Sequence, residues 1–269
     1  MLDLNSLSID FTNSNSLTIK IGCELEFFLL KKNKKEAASL VEVNNFIKII
    51  PRFLTTSKIS YKITKEQGAS QIELQTDFSS DLNLLAQFIE EFKIDVSLLA
   101  NNNNLQTSFA PQIFVDDCGN SLQFNISLHD NHGNNCFAEN SILHKFCQNL
   151  LNKTPQILPH LINNDEDYQR FNKELNLNLF KIGKYTAPVN LSYGFDNRSC
   201  AIRIAKTHEN KKRVEYRIAG ANSNCYNAIA AILNNSKNFS QNELITNDKR
   251  LIFGNAFDNQ YNYLIPITI

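Results

Sequence analysis

Apolar residues recur at helical spacing over 37–54, 82–100, 141–152 and 222–234, a period that predicts amphipathic helices in those stretches. Ala38, Leu40, Val41, Phe46, Ile47 and Ile50 make the stripe of the first; Leu84, Leu85, Phe88, Ile89 and Phe92 make that of the second. Asp81 stands where an N-cap would satisfy the free N–H groups of the second helix, and the asparagine run 101–104 reads as a loop after it. Elsewhere the period drops to two. Gly22, Glu24 and Glu26 alternate with Ile21, Cys23, Leu25 and Phe27 over 19–30; Gln71, Glu73 and Gln75 alternate with Ile72, Leu74 and Thr76 over 71–78. Gln123, Asn125 and Ser127 alternate with Leu122, Phe124, Ile126 and Leu128 over 121–128, and Arg213, Glu215 and Arg217 with Val214, Tyr216 and Ile218 over 213–218. Alternate side chains of a strand point to opposite faces, so each of these segments is predicted to carry one apolar and one polar face.

A sheet with one side in water accounts for the alternation in any single strand. It accounts less well for which polar residues recur. Glutamate and arginine dominate where threonine, serine and lysine would serve a solvated face, and like charges facing one another repel unless something lies between them. A face collecting Glu24, Glu26, Glu73 and Glu215 calls for divalent cations, and arginines beside it call for phosphate or carboxylate.

Composition narrows the classes. The 269 residues with 42% hydrophobic content and 19 Phe suffice for a substantial core. Lys+Arg and Asp+Glu both total 27, so charge gives no case for nucleic acid or an acidic membrane as partner. The six cysteines show no CxxC or zinc spacing and read as reduced thiols in a cytoplasm. The N-terminal stretch has no basic start and apolar run of a signal peptide, and no apolar stretch approaches the roughly 18 residues of a membrane span. Lys31, Lys32, Lys34 and Lys35 read as a solvated turn, and Glu90 and Glu91 as an exposed helix face.

Four segments, in order, resemble the glutamine synthetase family. Gly22-Cys-Glu-Leu-Glu-Phe-Phe is similar to its G-x-E-x-E-F-F strand, and Glu66-Gln-Gly-Ala-Ser-Gln-Ile-Glu73 to its E-x-G-x-x-Q-x-E segment. Ala187-Pro-Val, running on to Asn197-Arg-Ser-Cys-Ala-Ile-Arg203, resembles A-P-V…N-R-S-x-x-I-R; Arg213-Val-Glu-Tyr-Arg217 with Asn224-Cys-Tyr226 resembles R-x-E-x-R…N-P-Y. The resemblance covers about 20–234 and implies one α+β catalytic domain over 1–269, a curved antiparallel sheet backed by helices. It implies a substrate-side metal at Glu26, Glu66 and Glu73, and an ATP-side metal at Glu24, Glu215 and Gln123. Arg198, Arg203, Arg213, Arg217 and Asn125 match positions that bind ATP or substrate, with Arg198 and Arg217 as catalytic residues. The implied reaction is ATP-dependent ligation of ammonia or an amine to glutamate through a γ-glutamyl phosphate, with Mg²⁺ or Mn²⁺. Hard oxygen ligands suit such ions, and arginines suit phosphate oxygens. Neither a G-x-S-x-G nor a P-loop motif is present, as expected where no protein nucleophile is needed.

Several positions depart from that pattern. Gln123 and Asn125 stand where the family's strand has two histidines, and Thr186 stands where ammonia-using members have a flap glutamate. His129, His132 and His144 read as ordinary loop or surface histidines. Phe180-Lys181 lies where a substrate-binding arginine is expected. Only about twenty residues precede the first catalytic strand, so the reading is of a short, divergent member without the N-terminal β-grasp domain. Two other readings stay open: a catalytically impaired relative that binds nucleotide or a partner, and a chain completed by an oligomer or a separate partner domain.

Overall fold

The longest period-two stretch forms β1 (Thr18–Lys31), the strand around which an 8-stranded sheet is built. The computed structural model describes residues 3–54 and 58–268. In it follow β2 (Tyr61–Lys65), β3 (Gln71–Thr76), β4 (Leu105–Ser108), β5 (Leu122–His129), β6 (Tyr193–Phe195), β7 (Ile202–Ile204) and β8 (Val214–Tyr216). The order is β2-β3-β1-β5-β8-β7-β6, with β4 also paired to β1. Every pairing is antiparallel except that of β6 with β7, so the expected α+β sheet is present with one parallel pair at its edge.

The helices are α1 (Leu4–Asn15), α2 (Leu40–Phe53), α3 (Leu82–Asn102), α4 (Asn140–Ile157), α5 (Lys173–Lys181) and α6 (Cys225–Asn235). Four of them, α2, α3, α4 and α6, fall on the stretches of helical period. Asp81 caps α3, accepting from the Leu84 N–H at 3.0 Å, and Ser39 opens α2 in a capping box with Glu42. The α3 helix runs on through Asn102, so half of the asparagine run is helical and the turn begins after it. Neither α1 nor α5 shows in the periodicity, because α1 buries only Leu4 and Phe11 among its apolar residues and α5 only Leu179.

Ile21, Cys23, Leu25 and Phe27 of β1 enter one apolar core with Leu74, Phe124, Ile126, Val214 and Tyr216. Leu85, Ile89 and Phe92 of α3, Phe146 and Leu150 of α4, and Ile229 and Ile232 of α6 cover that face. Each such fully buried side chain contributes about 1.5–3 kcal/mol. Glu90, expected to be solvated, instead accepts from the Cys225 N–H at 2.8 Å and pairs with Lys93, tying α3 to the start of α6. Lys31 ends β1 in an ion pair with Glu42. All six cysteines are free, and no helix among the described residues is long and apolar enough to cross a membrane.

The opposite face is not in water. Glu24, Glu26, Gln123, Asn125 and Glu215 are all buried. The chain between α4 and β8 folds over them and makes that face the floor of a cavity.

Candidate functional site

Strand register brings the polar positions together. Glu26 on β1 faces Glu73 on β3, and Glu24 lies between Gln75 on β3 and Gln123 on β5. Asn125 faces Gly22 on one side and Glu215 on β8 on the other, and Arg203 on β7 faces Glu215. Glu24, Glu26, Glu73, Gln75, Gln123 and Arg203 line a cavity of about 260 Å³, with Glu66, Arg170, Tyr185, Thr186, Arg198, Arg213 and Arg217 completing its walls, and Asn125 and Glu215 lie buried behind that lining. A larger hollow of about 710 Å³, between Tyr168, Val189 and Leu264, gathers no comparable cluster of charge.

Two amide side chains join arginines to glutamates across the floor. Gln123 accepts from Arg217 Nη1 at 2.8 Å through Oε1 and donates through Nε2 to Glu26 at 3.1 Å. Asn125 accepts from Arg213 Nε at 2.9 Å and donates to Glu24 at 3.0 Å. A guanidinium has only donors, so each amide oxygen must face its arginine and each NH₂ its carboxylate. Glu26 also accepts from the Ser121 N–H and Oγ, both at 2.8 Å, and Glu24 accepts from Gln75 at 2.8 Å. Glu215 has both oxygens taken, Oε2 by Arg203 at 2.6 Å and Oε1 by Arg217.

The carboxylates divide electrostatically. Burial pushes Glu215 up, but Arg217 and Arg203 outweigh it and hold the group below its ordinary value. Glu73 receives no hydrogen bond among the described residues. Burial, with the charges of Glu24, Glu26, Glu66 and Glu215, pushes it up to about 9. Burial raises Glu26 to about 7 against the hydrogen bond from Ser121, and burial raises Glu66 as well. Glu26, Glu66 and Glu73 therefore share a deficit of positive charge that a proton or a cation would relieve.

Of the arginines named from sequence, Arg198 stacks over the Tyr185 ring with its guanidinium carbon 4.4 Å from the centroid. Arg203 is held by Asp196 and Glu215, and Arg217 reaches the Thr186 carbonyl at 3.2 Å, leaving its buried Nε without a partner. One arginine was missed. Phe180-Lys181 sits on α5 away from this cavity, whereas Arg170, on the short helical turn Asp165–Phe171, enters it. The α5 segment separates Arg170 from Ala187-Pro and hides it from a search by spacing. Arg170 is 3% exposed, donates to the Ile218 carbonyl at 2.6 Å and has no acidic partner within ion-pair distance among the described residues, where its Nε is also unpartnered. Burial lowers it to about 10. Gly119 gives it passage, since a Cβ there would lie 2.7 Å from Arg170 Cγ and 2.6 Å from the Pro111 oxygen.

The histidines do not replace Gln123 and Asn125. His129 bonds Ser127 and the Gly133 carbonyl at the end of β5, His132 is in an exposed turn, and His144 packs between Tyr193 and Phe195. None lines the cavity. Thr186 lies on the segment 183–187, which is pinned over the cavity by Lys184 on Asp117 at 2.5 Å and by the Tyr185 N–H on Gln67 at 2.5 Å.

As the side chains stand, no three His, Cys, Asp or Glu residues among the described ones form a group that could hold a metal ion. The donor chemistry nevertheless differs between the two sets. Glu26, Glu66 and Glu73 are hard oxygen donors short of positive charge, the donor chemistry that suits Mg²⁺ or Mn²⁺, with Glu26 already accepting from Ser121 and Gln123. Glu24, Gln123 and Glu215 are more heavily compensated: Arg203 and Arg217 hold the two oxygens of Glu215 and Arg217 that of Gln123, while Glu24 takes both its amide donors on Oε1.

Comparison with known proteins adds the lineage. Residues 37–238 match the family described as "Glutamine synthetase, catalytic domain". The chain is 29% identical to glutamine synthetase of Pyrococcus horikoshii over 238 residues, covering 81% of this chain and 50% of that protein. It is 27% identical to gamma-glutamylputrescine synthetase PuuA of Escherichia coli over 170 residues, covering 61% and 34%. The chain thus spans about half or less of the curated relatives it matches. In fold it is similar to the GmaS/ADP complex, with TM-score 0.74, 21% identity and coverage of 89% and 58%. It is likewise similar to glutamine synthetase of Plasmodium falciparum, with TM-score 0.72, 20% identity and coverage of 88% and 55%.

Proposed function

This chain belongs to the glutamine synthetase family, and we propose that it is an ATP-dependent ligase joining the side-chain carboxylate of glutamate to ammonia or an amine through a γ-glutamyl phosphate. One observation carries the reading: Glu26, Glu66 and Glu73 meet Arg198, Arg203, Arg213 and Arg217 in a single covered cavity. A carboxylate is a poor electrophile at neutral pH, and phosphoryl transfer gives it a leaving group. The site must then hold two anions together, a task of positioning and charge compensation.

The residues divide that task. Arg203 and Arg213 receive phosphate oxygens at the β7–β8 end. Arg198, oriented by Tyr185, faces the transferring group. Arg217 is fixed by Glu215, Gln123 and the Thr186 carbonyl, so its charge is held in place at the cavity wall for the amino acid. Arg170 adds a second buried guanidinium at the same wall. A Mg²⁺ or Mn²⁺ ion gripped by Glu26, Glu66 and Glu73 would neutralise charge on the transferring phosphoryl group. The pinned segment 183–187 excludes water that would otherwise consume the acyl phosphate.

Thr186 brings a hydroxyl where a carboxylate would attract ammonium, which favours an amine entering uncharged. In this reading 1–269 is one catalytic domain working in the cytoplasm on small molecules, with no nucleic acid or membrane partner, and completed by an oligomer or a partner domain. A second reading, a catalytically impaired member that binds nucleotide or a partner protein, is favoured by the engaged amides of Gln123 and Asn125. Phosphate release from ATP, assayed with Mg²⁺, glutamate and a panel of amines, separates the two. Release dependent on both glutamate and amine supports the ligase; ATP binding without release supports the second reading.

A further inference from the structure

Resting on that proposed function, we infer that the acceptor is a primary monoamine carrying an aromatic ring, and that its ring is held in a hollow beside the reaction cavity. The cavity of about 260 Å³ is walled by glutamates and arginines and suits anions, so an apolar body on the amine has to lie outside it. A second hollow, of about 490 Å³, has Tyr185, Thr186 and Arg198 in common with it, so these three form a shared wall. The hollow of about 710 Å³ beside Leu264 and one of about 390 Å³ along α5 share no wall residue with the cavity. Of these three hollows, the one behind Thr186 is placed to present a nitrogen to the reaction cavity, and its volume is in the range that small organic ligands occupy.

The lining offers ring faces. Tyr193 and Leu251 form a parallel bridge, and Phe195 and Phe253 each follow two residues later on these neighbouring segments. The Asn197 side chain donates to the Gly254 carbonyl at 2.8 Å and ties the two segments together. His144 backs Phe195 edge-on at 5.9 Å between centroids, and Phe257 backs Phe180, the third ring of the hollow, at 5.9 Å. Yet Phe180, Phe195 and Phe253 stay 45%, 48% and 83% exposed, which leaves their surface for an aromatic guest. Charge selects a monoamine. On this lining Lys184 is paired with Asp117 and Asp196 with Arg203, while Arg198 has no ion pair among the described residues. The uncompensated charge is positive, so a second ammonium group on the acceptor would be repelled. The nucleotide has its own side: Arg203 and Arg213, assigned above to its phosphates, line the reaction cavity and not this hollow.

Binding of phenethylamine to the purified chain, titrated by saturation-transfer NMR without nucleotide, tests the inference. Methylamine, the diamine cadaverine and adenosine are the comparisons, and Phe253→Ala is the variant, chosen because so exposed a ring can be truncated without opening the core. The wild type should bind phenethylamine, and binding should be about tenfold weaker in Phe253→Ala and for methylamine, which lacks the ring. No binding, equal binding by wild type and Phe253→Ala, tighter binding of cadaverine, or displacement of phenethylamine by adenosine overturns the inference. Phosphate release from MgATP and glutamate separates it from the reading it rests on. Release with methylamine or ammonium but none with phenethylamine overturns the inference and keeps the ligase; release with no amine, beside intact phenethylamine binding, keeps the site and removes the ligase.

Discussion

Replacing Glu215 by alanine removes the common counter-ion of two arginines in the sheet. The Glu215 side chain is 1% exposed, that of Arg217 5% and that of Arg203 13%, so none of the three charges can turn to bulk water without disturbing the floor of the cavity. Breaking a buried pair by deleting one member costs about 3–5 kcal/mol, because the remaining charge stays desolvated. At about 2–4 °C per kcal/mol for a chain of this size, Tm should fall by roughly 6–20 °C. Thermal and urea unfolding of wild type and Glu215→Ala at neutral pH measure it. The sign with pH follows from the direction of the shift. Glu215 is held below its ordinary 4.5 in the folded state, so its contribution is present above that value and is lost as pH falls through the folded value. The gap between wild type and variant should therefore close in acid. A loss below about 1 kcal/mol, the range of solvent-exposed pairs, would refute the reasoning and show that Arg203 and Arg217 find other partners.

Glu73 should behave in the opposite way. Its folded value is raised from 4.5 to about 9, so the folded chain holds a proton the unfolded chain has lost, and stability declines as pH rises between those values. Glu73→Gln should flatten that decline, and equal slopes for the two proteins would contradict the assignment. Gly119→Ala should destabilise by about 1–3 kcal/mol through overpacking against Arg170 and the Pro111 carbonyl, checked by urea unfolding; an unchanged midpoint would show that Arg170 does not need this passage.

Strands were legible where apolar and polar positions alternate over a long run, as in β1, but which strands pair and in what register was not, because alternation fixes a strand's faces and not its neighbours. The short β6 and β7 were not, since three residues carry no period. The acidic set was legible because Glu24, Glu26 and Glu73 occupy alternate positions that cannot all be solvated. Arg170 was not, because α5 intervenes between it and the segment it joins in space. Most instructive are Gln123 and Asn125. Sequence identifies them as unusual on a strand of this kind, but only the positions of Arg217 and Arg213 reveal that their oxygens are engaged. A residue's type limits its chemistry, and its partners decide which part of that chemistry is free.

In the proposed reaction glutamate is activated by phosphoryl transfer onto its side-chain carboxylate. This step is tested most directly with glutamate labelled with ¹⁸O in that carboxylate, incubated with the chain, MgATP and the amine that gives most phosphate release. Displacement of phosphate from a γ-glutamyl phosphate carries one carboxylate oxygen away, so each inorganic phosphate released should contain one ¹⁸O. Phosphate released without the label would contradict it.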